Sequence, residues 1–111
     1  LEELGRRWRA EDNYKRLFES AHDAIFIIKE TSIESCNNAA TRLIGRDLKD
    51  IIGKELYDFS PAMQPDGKDS AVAFRDNISR IVSGELSVIK WDFMKNDGKI
   101  LNTEAQCSSV L

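Results

Sequence analysis

Two thiols and one imidazole are the side chains here with the most latent chemistry, and their spacing limits what they can do. Cys36 and Cys107 lie near opposite ends of the domain, with no Cys-x-x-Cys pair and no histidine at ligand spacing. A zinc site or a redox dithiol is therefore not expected, and reduced cysteines in a cytoplasmic compartment are. His22, the single histidine, precedes an apolar run and is expected to cap or hydrogen-bond locally. No second residue makes a Cys/His or Ser/His pair, no glycine-rich loop could cradle a phosphate, and the carboxylates are dispersed over polar faces. A non-catalytic segment with no metal ligands is the expectation. The chemistry that remains concerns Asn37 and Asn38, where a strand-like run meets a helix-like one.

The bulk numbers agree with a single globular unit. A chain of 111 residues supports one domain around one modest core. Hydrophobic residues make up 41% and charged residues 32%, an ordinary globular balance. The net charge of -3 weakens a nucleic-acid reading, and the one basic cluster, GRRWR at residues 5–9, reads as a solvated helix face. The longest apolar run, AIFII at residues 24–28, is far short of a membrane span, so no membrane contact by this segment is expected. The chain starts at Leu1 without an initiator methionine and stops at Leu111 within a strand-like pattern, so a longer parent protein is expected.

The elements that would position these residues follow from periodicity. Leu1, Leu4 and Trp8 recur at helical spacing, which predicts a connecting helix over residues 1–12 with those three as dimer contacts. Tyr14, Leu17, Phe18 and Ala21 repeat the pattern on a new phase. DAIFIIK (23–29) reads as a strand covered on both faces, and SIESC (32–36) as a second strand after a tight turn. Asn37 then caps a helix from Asn38 to Ile44, and Gly45 takes the left-handed position after it. Asp47 opens a one-turn helix with Leu48, Ile51 and Ile52 on one side, and Glu55 to Phe59 makes a third short piece. SPAMQPDGKDS (60–70) reads as a surface loop. Asp69 or Ser70 caps the longest helix, with Phe74, Ile78, Ile81 and Val82 on its apolar face. Beyond Gly84 the period changes from 3.6 to 2. Ile89, Trp91 and Phe93 alternate with polar neighbours, Asp97-Gly98 turns the chain, and Leu101, Thr103, Ala105 and Cys107 alternate in a last strand.

The order of these elements resembles a PAS domain, the sensor module of microbial signal-transduction proteins. The resemblance runs from about Tyr14 to Leu111. It rests on YKRLFESAHDAIFII, ESCNNAATRLIG, DLKDIIGKELYDFSP and WDFMKNDGKILNTEAQ in that order. It implies an α+β fold, a PAS-like antiparallel sheet with short helices on one face and an N-terminal helix, with the domain over residues 13–111. A PAS sheet has five strands, the fifth lying between the first and the fourth. Four are legible, so the fifth is expected to be missing from this chain, and the slot between residues 24–28 and 100–110 is expected to be filled by a strand just downstream in the full protein or by a partner chain or swapped segment.

The family's cavity lies between the inner sheet face and the helical wall. The resemblance therefore points to Phe26, Ile28, Leu43, Tyr57, Phe59, Phe74, Ile78, Trp91, Phe93, Thr103, Ala105 and Cys107 as candidate pocket residues, with Tyr57, Ser60 and Thr103 as polar contacts. The favoured reading of the same residues is that they simply pack as core, since one buried aromatic removes roughly 150 to 250 Å² from water. Asn37 is expected to be a structural cap. Among the family's cofactors, neither haem nor a covalently linked flavin is supported: the long helix holds no histidine, and Cys36 precedes Asn37 at a strand end. The cofactor is left unknown.

Two functional readings follow. The first is a cytoplasmic sensor module of a multidomain protein such as a sensor histidine kinase or diguanylate cyclase, binding a small ligand or relaying a signal to an output domain of the same chain. The second is a ligand-free module that dimerises or mediates protein contacts.

Overall fold

Alternating and helical periods become separate elements along the chain. The computed structural model describes residues 15–107. Leu1, Leu4, Trp8 and the connecting helix expected over residues 1–12 lie outside the described residues. Residues 15–20 are helical (α1), and the Ala21 N–H donates to the Leu17 carbonyl at 3.1 Å to close the last turn.

The isoleucine-rich run forms β1 (Phe26–Lys29), joined to β2 (Ser32–Cys36) by a two-residue turn in which Glu30 takes φ 60°. The two strands pair antiparallel from Phe26 opposite Cys36 to Lys29 opposite Ser32, with an irregularity between Ile27 and Ile28. Ala24 and Ile25 do not extend the strand. Asn37 occupies Ile25 instead, donating its own N–H to the Ile25 carbonyl at 3.1 Å and accepting the Ile25 N–H on its side chain. Residues 24–28 are half-buried rather than covered on both faces, and Asp23 and Lys29 at the ends of the run are exposed.

Small and branched residues then build a helical wall. In α2 (Asn38–Ile44) Ala39, Ala40 and Ile44 are buried, and Gly45 ends the helix at φ 77° with its N–H on the Thr41 carbonyl. One turn follows as α3 (Leu48–Ile51), and a 3-10 turn spans Leu56–Phe59. Only Ile51 of the expected α3 face is buried; Leu48 and Ile52 remain 48% and 38% exposed. A four-residue helix has room for one inward position, so the neighbours at either end face water. The longest helix, α4 (Ser70–Val82), is capped by the Asp69 carboxylate, which accepts from Ala71 N at 3.0 Å and Val72 N at 3.2 Å. Phe74 is buried, Ile78 and Ile81 are half-buried, and Val82 in the last turn is exposed.

The last two elements, β3 (Val88–Met94) and β4 (Ile100–Gln106), pair in continuous antiparallel register. Trp91 and Phe93 face inward, while the outer face carries polar cross-strand pairs such as Asp92 and Asn102, joined at 2.7 Å. The connecting turn folds back on the wall: Asn96 N donates to the Ile44 carbonyl at 3.3 Å.

The described residues thus hold four strands in two separate two-stranded ladders, β1 with β2 and β3 with β4. One core joins them. Ile33 and Cys36 from β2, Ala40 and Ile44 from α2, Leu56 and Phe59, Ala73 and Phe74 from α4, and Trp91 and Phe93 from β3 form a single cluster. No helix among the described residues is long and apolar enough to cross a membrane.

Candidate functional site

The inner face of β3 sets the candidate site. A strand period of 2 puts Trp91 and Phe93 on one side, and α4 delivers Phe74 against them. Phe74 meets Trp91 edge-on with ring centroids 6.2 Å apart, and Tyr57 meets Phe74 edge-on at 5.8 Å. Across the two ladders, Phe26 stacks on Phe93 at 5.9 Å. Edge and offset contacts of this kind contribute about 0.5 to 1.5 kcal/mol each beyond the area they bury. Phe59 lies under the Arg46 guanidinium at 5.6 Å, and Tyr57 under that of Arg75 at 6.0 Å. Ile28, Leu43 and Ile78 pack against this cluster from three elements. Thr103 and Ala105 of β4 and Cys107 just past its end are half-buried at alternate positions.

Ser60 and Thr103, two of the three polar candidates, are engaged by the protein itself, whereas Tyr57 contributes ring contacts. The Trp91 indole N–H donates to Ser60 Oγ at 2.9 Å, and that hydroxyl donates to the Leu56 carbonyl at 3.0 Å. The Thr103 hydroxyl donates to the Trp91 carbonyl at 2.6 Å. Ser60 and Thr103 each spend their one proton inside the fold, so they can offer a bound molecule acceptor capacity only. Both thiols are free, and burial pushes both upward from the usual cysteine range; for Cys36 the negative charge of Glu19 adds to the effect. They stay protonated and poorly nucleophilic at neutral pH. Among the described residues no group of histidine, cysteine and carboxylate side chains is placed to hold a metal ion.

Asn37 is fully buried and joins three segments. Its Oδ1 accepts from Ala40 N at 3.0 Å, capping α2, and from Ile25 N at 2.9 Å. Its Nδ2 donates to the Phe18 carbonyl at 2.9 Å and the Asp23 carbonyl at 3.0 Å. The amide therefore uses two donor and two acceptor positions to tie the end of α1, the approach to β1 and the start of α2 into one node.

A second polar node was not visible in the sequence. Gln64 sits in the loop before α4 yet is buried, and so are Ser60 and Ser70 at the loop's two ends. Its Oε1 accepts from Asp92 N at 2.9 Å and its Nε2 donates to the Asp92 carbonyl at 3.2 Å, as well as to Ser70 Oγ at 2.9 Å. The loop is anchored rather than a simple surface excursion. A Pro-Asp-Gly turn, with Gly67 N on the Gln64 carbonyl at 2.9 Å, brings the glutamine to the outer edge of β3. The signal that marks such an anchor lies 28 positions away in sequence, so no local pattern announces it.

Comparison with known proteins agrees with this architecture. The family model of the PAS domain matches residues 22–111. The PAS domain of an HTR-like protein from Haloarcula marismortui superposes with a TM-score of 0.73 at 16% identity, covering 93% of this chain and 81% of that one. A domain of a sensory box sensor histidine kinase/response regulator from Geobacter sulfurreducens gives a TM-score of 0.68 at 26% identity, covering 87% of this chain and 81% of that one. The PAS domain of a LuxR-family transcriptional regulator from Burkholderia thailandensis, solved in complex with ethanol, gives 0.58 at 19% identity, covering 80% and 75%. No curated protein sequence matches the chain significantly. With the family model spanning residues 22–111, and α-helical wall, paired strands and Asn-capped α2 all in place, the chain belongs to the PAS domain family.

Proposed function

We propose that this PAS domain is the cytoplasmic sensor module of a multidomain signalling protein, a sensor histidine kinase or diguanylate cyclase being the type of parent that fits. Its input changes the packing of the aromatic interior, and α1 carries the change toward the N-terminal segment. The observation that carries this reading is the Asn37 node, in which one buried side chain holds the Phe18 carbonyl of α1 and the Ala40 N–H of α2 together. A change in the wall that displaces α2 must act on α1 through the same amide. An input can shift the balance between two packings only by its differential affinity for them.

The tight interior favours a second mode of the same role. Tyr57, Phe74 and Trp91 contact one another in sequence, so a ligand seated among them must displace a ring. A module that relays a neighbouring domain's signal without a bound molecule, or that serves only as a dimerising contact, needs no such rearrangement. Native mass spectrometry on protein purified from its own host separates the two. A retained small molecule supports ligand sensing, and a homodimer of unadorned mass supports relay. A monomer without adduct that leaves the output of the fused parent unchanged on deletion would overturn both.

A further inference from the structure

Residues 61–69 are held to the domain by hydrogen bonds and not by apolar packing. The hydrophobic cluster takes Leu56 and Phe59 before this stretch and Ala73 and Phe74 after it, and nothing from Pro61 to Asp69 belongs to it. Met63 is 62% exposed, and residues 65–69 are exposed as well. The stretch folds on itself as a short flap. Met63 pairs with Asp69, Gln64 N donates to the Lys68 carbonyl at 2.8 Å, and Ser70 N donates to the Ala62 carbonyl at 2.9 Å. The Ser70 hydroxyl closes the same neck on the Pro61 carbonyl at 2.5 Å. Beyond that neck, the Gln64 amide clips the flap to β3 at the N–H and carbonyl of Asp92.

The clip lies beside the aromatic interior. A cleft of about 230 Å³ between α4 and β3 is lined by Gln64, Ala73, Asn77, Ile89 and Trp91, among others. Trp91 lines it yet is 2% exposed, so almost none of that residue is reachable from the cleft. When the two amide bonds of the clip open they are exchanged for bonds to water, and their net contribution is small. A flap that adds nothing to the apolar cluster re-exposes little apolar surface on release. Its opening is therefore far less costly than global unfolding, which is the condition for a local opening.

We infer that residues 61–69 are a gate: the flap swings out on its Pro61–Ser70 neck when the Gln64 amide leaves Asp92, the core stays folded, and the α4–β3 cleft then reaches the Trp91 ring. Ala73 and Ile89 line the cleft beside Trp91, which suits a small uncharged molecule. Use of the gate as a ligand's way in rests on the ligand-sensing reading above, whereas the opening itself does not.

The test uses the 111-residue protein and needs no ligand. Asp92 turns its N–H away from β4, and Phe93, the next residue, turns its own toward Leu101. In native-state hydrogen exchange the Asp92 N–H should be protected at least about tenfold less than the Phe93 N–H, at a rate that stays flat up to about 1 M urea while that of Phe93 rises. Acrylamide, small and uncharged, then reports access to the interior. In a Trp8→Phe background, which leaves Trp91 as the single indole, Gln64→Ala should raise the quenching constant of Trp91 about threefold or more. Gly45→Ala, which weakens the fold away from the flap, should leave it unchanged. Protection of Asp92 equal to that of Phe93, with the same urea dependence, would overturn the inference without any variant. Quenching that Gln64→Ala leaves unchanged, or that Gly45→Ala raises equally, would overturn it too.

Discussion

Asn37 spends every hydrogen-bonding position it has on main-chain groups of other segments, and that makes its replacement costly in a way a surface cap is not. An exposed N-cap contributes about 1 kcal/mol. Here removal also leaves the Ile25 N–H and the Phe18 and Asp23 carbonyls without their partner. Asn37→Ala should lower the unfolding free energy by about 3 kcal/mol, read from the urea midpoint at unchanged slope. Asn37→Ser keeps an oxygen for the cap but does not reach the two carbonyls, so it should restore less than half of that loss. Complete restoration would show that the longer-range bonds contribute nothing. The thiols make a second prediction at this scale. Burial raises both above the ordinary value of 9.0, so the folded protein holds these protons more tightly than the unfolded chain. The resulting stability is fully present below about pH 9 and is lost as pH rises through the higher folded values. The urea midpoint should therefore fall only above about pH 9, and by less in Cys36→Ala, while iodoacetamide should alkylate either cysteine at pH 8 several-fold more slowly in the folded protein than in urea.

Among the elements, α2 shows most clearly how local signals decide structure. Its start at a strand-to-helix asparagine and its stop at Gly45 are both events within a few residues, and both can be read from the sequence. Gly45 takes φ 77°, and a methyl group there would lie 3.7 Å from Asn96 Cβ, an ordinary contact. The cost of Gly45→Ala is therefore in the backbone alone, about 1 kcal/mol by thermal or chemical denaturation. A loss of several kcal/mol would mean that the hairpin turn had been displaced from Ile44. What the sequence conceals is of another kind. The period of 2 in residues 88–106 announces strands, yet nothing in it shows that Gln64 will cover Asp92, because the contact depends on where a loop lands. The apolar residues Leu48 and Ile52 suggest a buried face that a single helical turn is too short to make. The pocket candidates were legible as inward positions, since Trp91 and Phe93 alternate with polar neighbours. That Ser60 and Thr103 would spend their protons on Leu56 and Trp91 was not.

At the scale of the whole molecule, the resemblance found in four ordered motifs and the fold seen in residues 15–107 agree on a PAS domain, with four strands where the family's sheet has five. The motifs are strong evidence in combination because each fixes a different element. They say little about how copies of the chain associate. The proposal that Leu1, Leu4 and Trp8 form a dimer contact rests on helical spacing alone and lies outside the described residues. Trp8→Glu places a charge on that stripe and should lower the sedimentation coefficient of a self-associating sample, whereas an unchanged profile would remove the N-terminal helix from the interface.

The two ladders meet through rings, chiefly Phe26 on Phe93, and not through backbone bonds among the described residues. Hydrogen bonds resist sliding because they are directional, whereas stacked rings slip past one another at small cost. Among the described residues the contact of one ladder with the other therefore depends on how these rings pack, and its tolerance of small displacements follows from their lack of a fixed bonding direction.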